Sequence, residues 1–336
     1  AASDVYKRQL VSPTDNATTD LVADALKNDP RIAEAKRLVG EAISEHAAKL
    51  SVCSATESLR DSFAQWIDRL TAVRGGPPIW PYLSSGIGRG PYVELADGSV
   101  KLDFIGGIGV HGAGHSDPGM VSAAIDAAIE DTVMQGNLQQ NPASVVMMEK
   151  LIALAESSGA SLPHCLLSTS GAMANENALK IAFHHNTPAD RVIAFDNAFA
   201  GRSLAMASLT DRPNYRMGLP LTIPVDYLPF RDPDNPQRST RWAVDELHRL
   251  LARHPGRYAA FWAEPIAGEG GYYPGSHEFF TALCEPLKEA GVPIIFDEVQ
   301  SFSRTGRPFA FQHYGLDQYA DIVTVGKITQ VCATLY

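Results

Sequence analysis

PIIFDEVQ (residues 293–300) and DIVTVGK (321–327) each carry a short apolar run into a group with chemistry, Asp297 in the first and Lys327 in the second. Apolar runs of this length bounded by Gly, Pro and polar residues read as strands buried on both faces. Working outward, similar runs stand at HCLLST (164–169), RVIAF (191–195) and YAAFWA (258–263), with helical segments between most of them. That alternation predicts a three-layer α/β architecture around a mostly parallel sheet. Ligands of such sheets sit at the carboxyl ends of the strands, so Asp297 and Lys327 fall on the functional rim.

Helical signals flank this core. Asp117-Pro118 supplies an N-cap and first-turn residue for a helix carrying Val121, Ala124, Ile125, Ala128 and Ile129, and Asn141-Pro142 opens another that runs to Gly159. Residues 18–75 hold long stretches without Gly or Pro and read as two or three surface helices. Asp97-Gly98 within YVELADGSVKLDF (92–104) is a hairpin signal. The expected organisation is a helical N-terminal arm (1–75), a linker with a small β segment (76–104) and a main body (105–336). The opening AASDVYKRQ (1–9) reads as a cloning or assembly remnant.

Composition narrows the partners. With 336 residues, 45% of them hydrophobic, the chain can bury a large core. A formal net charge of −10, with no conspicuous block of Lys and Arg, argues against nucleic acid and for a small-molecule partner. Cys53, Cys165, Cys284 and Cys332 lack the spacing of a zinc site or a disulfide framework. The longest apolar runs are of strand length, which predicts a cytoplasmic protein with no membrane partner. His111 and His115 are separated by glycines that disfavour a helix, so no metal is expected there.

Five features fall at strand ends, each with two readings. Ser170-Gly171-Ala172, leading into a helix, suits an anion held by backbone N–H groups, or is an ordinary helix start. Asp297 could pair with a protonated ring nitrogen, an interaction worth about 4 kcal/mol at 4 Å and an effective dielectric near 20; it could equally cap a loop or bind a metal with Glu298. Lys327 is either a solvated charge or a buried amine able to form a Schiff base and move protons. Glu264 and Glu269 lie on a Gly-rich stretch that is either a bend toward a ligand or a surface turn. Phe199 could stack on a flat ring while Arg202 takes a substrate carboxylate, or the pair could be core plus surface salt bridge. An amine and a carboxylate at neighbouring strand ends are what pyridoxal phosphate needs.

With DFIGGIGVHGAGHSDP (103–118), SGAMANENALK (170–180), AFAGRSLA (198–205), AEPIAGEGG (263–271), FDEVQSFSRTG (296–306) and DIVTVGKITQVC (321–332), the chain resembles the class III aminotransferases, pyridoxal 5'-phosphate enzymes of fold type I. The last segment is similar to the lysine 6-aminotransferase branch. The resemblance implies that Lys327 is the Schiff-base lysine, Asp297 pairs with the pyridine nitrogen, Val299 and Phe199 pack on the two ring faces, and Gln300 bonds the ring hydroxyl. It further implies phosphate binding by the backbone of Gly171 and Ala172, support from Glu264, substrate carboxylate binding by Arg202, and a switching role for Glu269. The expected reaction is transamination between an ω-amino or amino acid and a 2-oxo acid acceptor by a homodimer. An aminomutase, a decarboxylase and a non-catalytic cofactor-binding fragment are the rivals.

Several positions depart from the family pattern. Ala200 stands where a larger residue is common, SFSRTG is one residue shorter than the usual loop, and Met173 replaces a frequent Glu. Nine residues follow Lys327, whereas the family continues into a C-terminal lobe, so the chain is expected to be a fragment lacking that lobe.

Overall fold

The computed structural model describes residues 21–130 and 140–336, and AASDVYKRQ lies outside them. The chain forms two units. One takes the described residues of 1–104 and 113–132, the other those of 105–112 and 133–336.

In the first unit, helices α1 (Val22–Lys27), α2 (Pro30–Ala47), α3 (Arg60–Arg74) and α4 (Pro118–Ala128) accompany an antiparallel sheet of β1 (Ser84–Arg89), β2 (Tyr92–Leu95) and β3 (Val100–Leu102). Asp29 and Asp117 cap α2 and α4 by accepting the backbone N–H of Arg31 at 2.8 Å and of Met120 at 3.0 Å, each with Pro at the next position. The β2–β3 hairpin turns at Asp97-Gly98. There Gly98 takes φ 78°, a left-handed conformation open to glycine, and Asp97 Oδ1 accepts the Ser99 N–H at 2.9 Å.

The second unit runs α5 (Pro142–Glu156), β4 (Cys165–Ser168), α6 (Gly171–His185), β5 (Arg191–Phe195), α7 (Leu204–Leu209), β6 (Val225–Leu228), α8 (Pro236–Arg253) and β7 (Tyr258–Ala263). A two-stranded ribbon of β8 (Ile266–Ala267) and β9 (Tyr273–Pro274) follows, then α9 (His277–Glu289), β10 (Ile294–Asp297), β11 (Ile322–Val325) and β12 (Cys332–Leu335). The seven-stranded sheet has the order β4-β12-β11-β10-β7-β5-β6, and only β12 runs against its neighbours. The expected α/β fold with a mostly parallel sheet is present, and all five expected strands form. Two more join them, β6 at an edge and β12 between β4 and β11.

Successive side chains of the sheet go to opposite faces. Phe195, Phe261, Phe296 and Val323 pack with Leu151 of α5, Leu247 of α8 and Phe279 of α9. Ala194, Trp262, Ile295 and Ile322 pack on the other side with Ala178, Leu179 and Ala182 of α6 and Met206 of α7. Each of the Val, Leu, Ile, Phe and Met side chains among them contributes about 1.5–3 kcal/mol on burial, which makes this double-sided core the main reason the layers hold. The same alternation carries Asp297, two residues after Ile295, and Thr324, two after Ile322, onto the α6 face beside Trp262. In register, Asp297 lies opposite Thr324.

Candidate active site

Asp297 is 6% exposed, and both its oxygens are engaged. Oδ1 accepts the Val299 N–H at 2.8 Å and Oδ2 accepts Asn175 Nδ2–H at 2.7 Å. Burial pushes its pKa up to about 6, while these donors and the positive charge of Lys327 pull the other way. Lys327 and Asp297 therefore share one electrostatic environment.

Lys327 opens a short turn, Lys327–Thr329, just past β11, with the side chain half-buried. Its φ of 55° lies in the left-handed region, which costs an L-residue about 1–2 kcal/mol. The surroundings hold it there. Gln330 Nε2 donates to Val110 O at 3.0 Å, the Gln330 N–H donates to Lys327 O at 3.0 Å, and the Cys332 sulfur lies against the strand end. A Cβ on the preceding Gly326 would stand 2.9 Å from that sulfur and 3.2 Å from Val299 Cγ1, so the strand end leaves no room for a side chain.

An opening for an anion lies next to this pair. Ser170 caps α6 by accepting the Met173 N–H at 3.2 Å, and Ala174 N–H bonds Ser170 O at 2.9 Å. The N–H groups of Gly171 and Ala172 donate to none of the described residues, as expected of the first helical turn. A Cβ on Gly171 would meet Val299 Cγ1 at 2.8 Å, which puts the helix start against the residue two past Asp297. A Cβ on Gly201, at φ 135°, would meet Ala172 Cβ at 2.7 Å.

Glu264, buried at the end of β7, accepts the Phe199 N–H and the Gly268 N–H, both at 3.2 Å. Burial, then the negative charges of Asp297 and Glu269, push its pKa up to about 8. A Cβ on Gly268 would fall 2.0 Å from Gln300 Oε1 and 3.1 Å from Glu264 Oε1, so a side chain there would displace the Gln300 amide from its place across the loop. Arg202 is exposed. Its guanidinium lies 4.9 Å from the Tyr215 ring centre and 6.0 Å from that of Phe199, and among the described residues it forms no ion pair with Glu269.

Glu298 is fully buried and faces away from this cluster into the following loop. Its oxygens accept the Phe311 N–H at 2.8 Å and the Ser301 hydroxyl, and burial raises its pKa to about 7. No three His, Cys, Asp or Glu side chains gather to hold a metal ion among the described residues. His115 lies 2.8 Å from Asp103 through Nε2.

The structure thus groups Lys327, Asp297, Gly171, Ala172, Val299, Gln300, Glu264 and Glu269, with Phe199 tied in through its N–H and Arg202 at the exposed margin. Sequence reasoning did not single out Asn175, Thr324 or Trp262. Asn175 carried a readable signal: in SGAMANENALK it is a polar residue on the stripe that buries Ala174, Ala178, Leu179 and Ala182, and a buried amide needs partners.

A doubly covered parallel sheet with lysine and aspartate on its carboxyl rim defines the class of fold. Residues 81–330 match the model of the family described as aminotransferase class-III, and the chain belongs to that family. It is 32% identical over 247 residues to the acetylornithine aminotransferase of Methanocaldococcus jannaschii, covering 71% of this chain and 56% of that protein. It is 36% identical over 247 residues to the 2-aminoadipate transaminase of Pseudomonas putida, covering 71% and 58%. Among solved structures, the lysine aminotransferase of M. tuberculosis superposes with a TM-score of 0.65 at 28% identity, covering 80% of this chain and 67% of that one. The chain spans less than two thirds of the length of these two sequence relatives.

Proposed function

We propose that the protein carrying this chain transfers an amino group from an amino or ω-amino acid to a 2-oxo acid, with pyridoxal 5'-phosphate as cofactor. The observation that carries this reading is the buried Asp297 carboxylate, with both oxygens accepting hydrogen bonds and the Lys327 charge acting on it.

The residues present fit the cofactor. Gly171 and Ala172 offer two open N–H groups at the positive end of α6, which favour a phosphate. Val299 and Phe199 would bound the ring faces, Gln300 would reach the ring hydroxyl, and Glu264 would hold Gln300 and the Phe199 loop. When bound, pyridoxal phosphate supplies the electron sink for the bond broken at the amine-bearing carbon. Asp297 keeps the ring nitrogen protonated by charge. Lys327 Nζ would hold the cofactor and, once released, would move the proton from the amine-bearing substrate carbon to the cofactor carbon that bears the transferred amine. Arg202 binds the substrate carboxylate, and Glu269, which is not paired with it among the described residues, would have to swing toward it to answer its charge when no carboxylate is bound.

The names of the relatives, an acetylornithine aminotransferase, a 2-aminoadipate transaminase and a lysine aminotransferase, support amino transfer over the mutase and decarboxylase alternatives. A cytoplasmic homodimer completes the reading; among the described residues no helix is long and apolar enough to cross a membrane.

Borohydride reduction of the loaded protein, followed by peptide mass spectrometry, should find the cofactor mass on Lys327, and Lys327→Ala should abolish it. Amine-donor consumption that proceeds undiminished without a 2-oxo acid would overturn the transaminase reading.

A further inference from the structure

The carboxylate of Asp297 is held by a side chain whose own orientation is fixed from behind. Trp262 lies fully buried on the α6 face, and its indole N–H can only donate. It donates to Asn175 Oδ1 at 3.2 Å, and the Thr324 hydroxyl donates to the same oxygen at 2.9 Å. With its oxygen facing two donors, Asn175 must turn its NH2 the other way, toward Ala200 O at 2.9 Å and Asp297 Oδ2 at 2.7 Å. All four hydrogen-bonding positions of the amide are filled, and a flipped amide would set NH2 against an indole N–H. Asp297 Oδ2 therefore has to accept.

We propose that Asn175, locked by Trp262, is a positioning residue that keeps the buried Asp297 carboxylate ionised and aimed, so that the fold itself selects the charge the cofactor ring requires. This rests on the reading of the site as a pyridoxal phosphate site. Burial opposes ionisation, and the charge of Asp297 in turn raises the pKa values of Glu264, Glu298 and Cys332 around it. The groups favouring it are Lys327, the Val299 N–H and Asn175, the single Thr324 proton being given to Asn175 Oδ1. Asn175 is the member whose donor geometry is set independently of the loop and turn that carry the others.

The test is the dissociation constant of pyridoxal phosphate against pH, by equilibrium dialysis. Asn175→Ala should weaken binding by about tenfold or more at every pH, the scale of a hydrogen bond to a charged group. Asn175→Asp should behave differently. When the new carboxyl is protonated it donates to Asp297 as the amide did, and when ionised it repels, so affinity should approach the parent value at low pH and fall as pH rises. A merely structural role predicts no such crossover. If Asn175→Ala does not fold, the near-isosteric Asp variant decides; if neither folds, the Asn175 side-chain amide NMR signal of the unmodified protein decides, since it should shift on cofactor binding. Parent-like, pH-independent affinity in the Asp variant, or an unmoved amide signal, overturns the proposal. Failure of the unmodified protein to bind pyridoxal phosphate would instead overturn the reading of the site.

Discussion

Asp297 and Glu298 are consecutive acids, both buried, both with pKa values raised by burial, yet they serve different regions. Asp297 lies on the α6 face within reach of the Lys327 charge and is oriented by Asn175. Glu298 faces the other way, where it ties Ser301 and Phe311 and so braces the loop between β10 and β11. One step along a strand changes the face, and the face changes the role. Residue type alone would not have separated them.

The contrast breaks most directly at turnover. Asp297→Asn removes an interaction worth about 4 kcal/mol, so kcat for amino transfer should fall about a thousandfold. Glu298→Ala should act on the fold instead: losing two hydrogen bonds to a buried carboxylate should cost about 2–3 kcal/mol in denaturant unfolding, with a far smaller change in kcat. If Asp297→Asn cost only stability and Glu298→Ala only turnover, the division of labour would be wrong.

Titration sharpens it further. In the cofactor-free protein the folded-state pKa values of Asp297, Glu298 and Glu264 lie at about 6, 7 and 8, above the ordinary carboxylate range. The folded state then holds more protons than the unfolded state between roughly pH 4 and 8, so stability is greatest at the acid end and declines as pH rises. Denaturant melts across that window should show the decline. Glu298→Gln should flatten it by about 1.4 kcal/mol per pH unit near pH 5–7, the contribution of one group. The smallest effect belongs to the exposed margin. Tyr215→Ala removes the ring 4.9 Å from Arg202 and should raise the KM for a carboxylate substrate about two- to fivefold, from a cation–π contact of about 0.5–1 kcal/mol.

What could be read in advance follows the same physics. β5, β7, β10 and β11 are apolar on both faces, so their runs stand out, and Asp297 and Lys327 mark where two of them end. β6 is an edge strand whose Asp226 pairs with Arg191 and accepts from Tyr258, and that polar residue hides it among loop sequence. β12 contains Cys332 and Thr334, the latter satisfied by donating to Ala174 O at 2.8 Å, a partner no local pattern announces. Asn175 was hidden for a related reason: its partners lie 25, 87, 122 and 149 residues away along the chain.

The placement of β12 also bears on how the protein is made. Within the sheet β4 bonds only to β12, so residues 165–168 wait for 332–335 before they can join. A nascent chain leaving the ribosome carries β4 unpaired until residues 332–335 have emerged, and such an edge invites pairing with other chains. Closure of the sheet is thus governed by long-range contact, and chaperone protection during elongation should matter more for this topology than for one built of neighbouring strands.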